Sequence, residues 1–441
     1  MIDKMSARTL LGLHRLAVGL LPVSLCFWYY RLIISADHAR VYFTYDSVLF
    51  FLSDGIAFLA VTAWLCARLI EHQPIWIGRQ RLVLLALFAL VMLASLSTVW
   101  SITPTLSLYT VAHLWLMFGL FMSVRGEPES WRAIGIGCVA ALVLQSTIAG
   151  WEFLAQSTAF LAPLRLAWPG TLVPTTSGPS VVQVADGTRW LRAYGTLPHP
   201  NILGGFLLAL MAGPLTIFLR DGMRRWWALG LFGIATVALM LTFSRSAWLG
   251  YIAGGAVVIL HRRSLNGSRL RWLAAVALAC LIAVAIPLRS LILVRAPGSQ
   301  VTTEAGSTYE RILLGNQAWD MLRARPLGLG AGAFVVGLVA QFPDTNPVEP
   351  VHNVVLLAAS ELGWLAGLLW LVAGAAILYE IRRARGADAV VLSAIVVGLI
   401  VIGLGDHYLW SLAPGRTLAW LFLGAWAGMM QKSELEVSAM N

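Results

Sequence analysis

Charge is what the chain has least of. Only 12% of its residues are charged, about half of what a soluble domain carries. With 59% of 441 residues apolar and 19 tryptophans, it cannot clothe a soluble surface, and it reads as a polytopic membrane protein. Lysine is nearly missing, occurring only as Lys4 and Lys432, so the formal charge of +10 is carried by arginine. On a membrane protein such charge belongs to the loops that set orientation, and nucleic acid is not expected as a partner. Cysteine is scarce as well. Cys26, Cys66, Cys138 and Cys280 lie inside apolar runs without metal-type spacing or obvious pairing, and read as packing residues. No small-residue cleavage site follows the first apolar run, which is therefore expected to stay as a first span.

Apolar runs long enough for a hydrocarbon core of roughly 30 Å occur at 16–35, 47–69, 82–100, 106–124, 133–155, 199–219, 227–243, 246–260, 272–289, 353–379, 390–405 and 416–431. An all-α protein of about twelve spans is expected, the two short runs around Ser244 and Arg245 forming one broken or tilted unit if not two spans. Every second connection is basic, carrying Lys4, Arg8 and Arg15, then Arg68, Arg79 and Arg81, and later Arg220, Arg224, Arg225, Arg382, Arg383 and Lys432. By the positive-inside rule these face the cytoplasm, and both termini with them. On the outer side two connections are long, 156–198 and 290–351, and loops of that length tend to be functional or disordered. The chain divides on this reading into 1–198 (spans one to five with the first long loop), 199–379 (a core of spans six to ten with the second) and 380–441 (the last two spans).

The outer basic residues, Arg165, Arg192, Arg295 and Arg311 among them, are all arginine. A planar guanidinium grips a carboxylate or phosphate through two parallel hydrogen bonds, although codon bias is the plain alternative. Within 290–351 the S-x-x-E spacing of Ser307 and Glu310 predicts a helix start. Tyr309, Ile312, Leu313 and Trp319 then share one arc while Arg311 points the other way, and Pro326 ends the helix. The GLGAGAF that follows lacks the ending of a P-loop.

His352 opens the tenth span, where the positive end of a helix disfavours imidazolium and keeps the ring able to accept a proton; a snorkelling interfacial histidine is the plain alternative. Arg245 in LTFSRSAWLG stands between two apolar runs, where charge is costly and usually functional. Arg192 belongs to RAYGTLPHPN, whose His199 and Asn201 shape the start of the sixth span. Asp406 in GLGDHYLW can orient a histidine or hold a sugar hydroxyl. Glu361 lies on about the opposite helix face from His352 and is expected to pair with another span.

Taken in order, RAYGTLPHPNILGGF, LTFSRSAWLG, YERILLGNQAWDMLRARPLGLGAGAF and VHNVVLLAASELGWLAG resemble the O-antigen ligase and O-antigen polymerase superfamily of bacterial envelope glycan assembly. The resemblance covers about residues 190–375. It implies a GT-C type inner-membrane glycosyltransferase that needs no metal, nucleotide sugar or other cofactor. Its partners would be a glycan on undecaprenyl pyrophosphate and an acceptor glycolipid or glycan, meeting at the periplasmic face of the lipid bilayer. Carried over, His352 would be the base, Arg245, Arg311 and Arg192 would hold the pyrophosphate, and Asp406, Asn353, His199 and Asn201 would support the histidine or the acceptor. Ligase and polymerase both remain open, and a lipid-linked glycan transporter is the non-enzymatic alternative.

Overall fold

The computed structural model describes residues 2–35, 38, 40–72, 80–164, 171–176, 178–221, 225–296 and 301–440; Arg79, Arg165 and Arg224 lie outside them. Helix α1 (Ile2–Ser24) leads through β1 (Tyr30–Ile34), the single-turn α2 (Phe43–Asp46) and β2 (Val48–Phe51) into α3 (Leu52–Ile70). Then come α4 (Arg81–Ser97), α5 (Pro104–Gly126) and α6 (Trp131–Ala155). The first long connection holds β3 (Val181–Gln183) and β4 (Arg189–Leu191). After it run α7 (Pro200–Leu210), α8 (Ala212–Asp221), α9 (Trp226–Leu241), α10 (Arg245–Leu260) and α11 (Gly267–Ala285). The second long connection carries α12 (Arg289–Val294), α13 (Thr302–Ala324) and α14 (Phe334–Gln341). The chain closes with α15 (Val354–Leu362), α16 (Trp364–Ile381), α17 (Gly386–Gly403), the short α18 (Tyr408–Ser411) and α19 (Ala413–Met440).

Among the described residues seven helical stretches are long and apolar enough to cross a membrane. Three more, Arg81–Ser97, Trp226–Leu241 and Arg245–Leu260, are apolar but shorter. Helices distant in sequence pack on one another, α1 on α3 and α6, α5 on α19, α4 on α16 and α10 on α17, so one apolar core runs through all parts of the chain. The basic connections gather at one end: Arg220 stands 3.7 Å from Asp388, Lys432 2.6 Å from Glu129, and Arg15 pairs with Glu127 beside them.

Several expectations are corrected. The first run does not stay helical to residue 35: α1 stops at Ser24, and Tyr30–Ile34 pairs antiparallel with Val48–Phe51, a segment of aromatic and branched residues suited to a strand. Together with the ribbon of β3 and β4, it is a small addition to a mostly helical fold, consistent with the expected all-α class. The run 353–379 is broken at Gly363, whose φ of +87° and 2.6 Å approach of a would-be Cβ to the Pro326 carbonyl admit only glycine. Helix α13 begins at Thr302, so Ser307 and Glu310 lie inside it and form no cap. Its buried face is Leu314, Ala318, Met321 and Leu322, whereas Tyr309, Ile312 and Trp319 are exposed. Lipid tails are as apolar as leucine, so in a membrane protein an apolar arc does not reveal which face is core.

Candidate functional site

At the end of the bundle opposite those basic connections a cavity of about 540 Å³ opens between the starts of α7, α13 and α18 and the segment joining α1 to α3. Both long connections supply walls, Ser180, Val181 and Arg192 from the first, Arg295, Glu304, Arg311 and Glu349 from the second.

Arg192 is set by polar groups of α6. Glu152 accepts hydrogen bonds from the backbone of Tyr194 and Gly195 at 2.9 and 2.7 Å, and Gln145 accepts from that of Thr196 at 3.0 Å. Gly195, at φ +60°, is fixed as glycine, since a Cβ would come within 2.1 Å of the Gln145 amide oxygen. Held so, buried Arg192 donates to the Thr242 carbonyl at 2.7 Å, Ser180 Oγ at 2.8 Å and Asn201 Oδ1 at 2.6 Å. Asn201 in turn donates to Asp406 Oδ2 at 2.8 Å. Four residues singled out in the sequence, Arg192, His199, Asn201 and Asp406, thus meet at one wall, with His199 capping α7 by accepting from Asn201 N at 3.1 Å.

Arg311 also lines the cavity. It makes no ion pair among the described residues, and its one hydrogen bond is a long one of 3.4 Å to the Gly405 carbonyl. Arg295, by contrast, pairs with the buried Glu304. Arg245 does not line the cavity as expected of a phosphate ligand: it stands behind Glu304, 3.5 Å from its second oxygen, because the carboxylate on the first turn of α13 comes between.

His352 faces Arg311 across the same space. Its Nε2 is 3.7 Å from Glu349 Oε1, and its ring meets that of His407 edge to face at 5.1 Å. Burial, and then Arg311, lower the pKa of His352, against the pull of Asp406, so the ring is neutral and free to accept a proton. Burial likewise pushes His407 down to about 3. Asp406 is pushed up by burial, yet the positive charge of His352, His407 and His199 in their protonated forms, and that of Arg311, hold it below the usual carboxylate range. Asn353 plays no part in the cavity. Its Oδ1 caps α15 by accepting from Leu356 N at 2.9 Å and its Nδ2 donates to the Leu404 carbonyl at 3.1 Å.

Sequence reading missed Glu349 and Glu304, although Glu349 lies three residues before His352, and gave Arg295 and His407 no role of their own. Glu361, as expected, pairs away from His352, accepting from Trp410 Nε1 at 2.9 Å. GLGAGAF packs on α15, Gly330 N donating to the Glu361 carbonyl at 2.8 Å. Beside the cavity, beyond the Asn353–Leu404 bond, an apolar groove of about 360 Å³ runs between α16, α17 and α19, with Trp370, Leu378, Leu399 and Trp420 in its walls.

Glu349, His352 and His407 each bring a ligand-type atom within 4.8 Å of the others, so this trio is where a cation would sit if the site held one. A proton balance is the other chemistry such a trio offers. Burial, with Asp406 and Glu310, pushes Glu349 up to about 7. Ionised, it favours the imidazolium that forms when His352 takes a proton; protonated, it gives no such support. Activity resting on this histidine should therefore rise with pH through about 7. In Glu349→Ala the rise should move below 6.5, the ordinary histidine value from which His352 is lowered. A pH–rate profile of both proteins checks this, and an unmoved acid limb would count against the pairing.

With arginines on one side and a neutral histidine on the other, the comparison with known families becomes decisive. Residues 229–371 match the family model described as O-antigen ligase. Over that third of the chain it is similar to the O-antigen ligases, which supports the O-antigen ligase and polymerase superfamily. The superfamily implies a ligase- or polymerase-type function in a membrane, with a lipid-linked glycan and an acceptor as partners. A comparison with curated proteins gives no match. The matched stretch holds Arg245, Arg295, Glu304, Arg311, Glu349 and His352, while Arg192, Asn201, Asp406 and His407 reach the cavity from outside it.

Proposed function

We propose that this superfamily member is an inverting, GT-C type membrane glycosyltransferase of ligase type. It moves a glycan from undecaprenyl pyrophosphate to a sugar hydroxyl of lipid A core or a similar glycolipid, at the periplasmic face of the bacterial inner membrane. Both termini are then cytoplasmic, and all twelve apolar runs serve as spans. The observation that carries the reading is the unpaired Arg311 facing a neutral His352 across one cavity.

A sugar on pyrophosphate already has a good leaving group. The enzyme must bring two substrates together, remove one proton and receive negative charge. The acceptor hydroxyl gives its proton to His352 as its oxygen bonds to the anomeric carbon. The bond from that carbon to the phosphate oxygen breaks, and its electron pair leaves with the diphosphate toward Arg311, with Arg192 and Arg295 behind. Attack from the side opposite the leaving group inverts the centre. Asp406 and Glu349 stabilise the imidazolium until the proton is passed to water. The apolar groove beside the cavity suits a polyprenyl tail. A transporter would be expected to carry its ionisable groups near the middle of interrupted, repeat-related helices, whereas here they gather at one end of the bundle.

Purified protein with undecaprenyl-pyrophosphate oligosaccharide, with and without lipid A core, tests the reading. Product only in the presence of lipid A core is expected. Lengthening of the lipid-linked glycan without it would mean a polymerase, and turnover in neither mixture would remove the enzymatic reading. The same assay in excess EDTA should run at an undiminished rate. Loss of turnover on chelation, restored by a divalent cation, would turn the Glu349, His352 and His407 trio into a metal site and His352 into a ligand.

A further inference from the structure

The cavity has a third wall that no catalytic role uses, formed by the segment between α1 and α3. There a row of rings runs from the rim to the histidines. Tyr30 meets Phe43 at 5.8 Å between centroids, Phe43 meets Tyr42 at 4.9 Å, and Tyr42 meets Tyr45 at 6.2 Å. Tyr45 then meets His407 at 6.1 Å, and His407 lies against His352. The outer rings are uncovered: Tyr42 is 51% exposed, Tyr30 39% and Phe43 37%. They do not hold a core, yet they are held in place. Buried Asp46 closes the turn by accepting from His38 N at 3.2 Å, Arg40 Nη2 donates to the Thr345 carbonyl at 2.7 Å, and the ribbon of β1 and β2 flanks the row. Ser307, Glu310 and Glu349 line the same cavity, Glu349 beside His407 at the end of the row.

We propose that this row is the subsite for the acceptor glycan, seating pyranose rings that lead to the reacting hydroxyl; the inference rests on the glycosyl-transfer reading above. A pyranose has one face of C–H groups and a rim of hydroxyls. The C–H face packs on an aromatic ring, whose face is electron-rich, while the rim finds acceptors on the carboxylate side. An acyl or prenyl chain would leave Glu310 and Glu349 desolvated without partners, which disfavours a lipid tail here. The row ends at His407 and His352, so a glycan lying along it delivers its last hydroxyl to the base, while the diphosphate lies on the opposite, arginine-bearing side.

The test uses the full-length protein in detergent and a delipidated lipid A core oligosaccharide as probe, with binding followed by saturation-transfer NMR and transfer followed by kinetics. In Tyr42→Ala with Phe43→Ala, the NMR signal of the sugar protons should fall severalfold and the acceptor KM should rise about tenfold, the effect expected of two lost ring contacts. Donor KM should stay within about twofold, because the arginine side is untouched. Tyr42→Phe with Phe43→Tyr keeps both rings and should restore binding. Tyr42→Ala alone, at a half-exposed position, serves where the double variant does not fold. Unchanged acceptor binding in these variants, or equal loss for donor and acceptor, would overturn the proposal; so would a wild-type protein that transfers to the core but gives no NMR contact from its sugars. Rings that serve only as a membrane-interface belt would show up as altered insertion with unaltered sugar binding, again against it. Because binding is read without turnover, an inactive protein that still binds the sugar through Tyr42 and Phe43 would sink the transfer reading and leave the subsite.

Discussion

His352→Ala should abolish transfer while the protein still inserts and elutes as the wild type does. General-base removal costs about 10²–10⁴ in rate, and no hydrogen bond around His352 depends on the ring, whose Nδ1 has no partner, whose Nε2 has only the 3.7 Å contact with Glu349, and whose packing on His407 is a single edge-to-face contact. The nearest substitute is His407. Ser411 Oγ lies 2.7 Å from its Nδ1 and 3.2 Å from its own carbonyl. A hydroxyl that donates to that carbonyl receives the Nδ1 hydrogen and leaves Nε2 as a second acceptor. Single and double alanine variants at 352 and 407, assayed with donor and acceptor, separate the two. Wild-type turnover in His352→Ala would move the base to His407, and wild-type turnover in the double variant would remove the site.

The second large effect belongs to the arginines, and of the three that line the cavity Arg311 and Arg192 should fail differently. Arg311→Ala removes a cavity arginine that has no ion pair among the described residues, and kcat/KM should drop about 10²–10³, as for the loss of one charge-stabilising donor, with thermal stability close to wild type. Arg311→Lys keeps the charge but loses the two parallel donors, so it should remain impaired about tenfold; full activity there would reduce Arg311 to an electrostatic role. Arg192→Ala should lose activity and stability together. It leaves Thr242, Ser180 and Asn201 without their donor in a buried wall, and each buried group so orphaned costs about 1–3 kcal/mol. Melting curves beside kinetics check this, and an Arg192→Ala protein that is stable but inactive would make Arg192 a pure ligand contact.

The helical core was largely legible because membrane crossing demands long apolar runs, and each of the twelve runs contains a helix. Two kinds of feature were not. The ribbon of β1 and β2 was lost inside runs counted as spans, since strand and helix are equally apolar there. The shared arc of Tyr309, Ile312 and Trp319 did not tell which face of α13 is buried, and these side chains are exposed.

The site was legible in part. His352, Arg311, Arg192 and Asp406 stood out as polar residues at the edges of apolar runs, where charge is kept only for cause, and they do share a cavity. Their rank could not be read, because it depends on partners. Glu304 decides that Arg245 stands behind and Arg295 in the wall, and the amide contacts of Asn353 decide that it caps a helix and ties α15 to Leu404.

By itself the sequence determined that this is a membrane protein of many helices with two long polar connections, since apolar run length and loop charge are local properties of the chain. Tertiary structure alone decided which arginine is free, which histidine faces it and which aromatic rings lead to them. Those facts are distances between residues as far apart as Tyr45 and His407, and no local pattern encodes them.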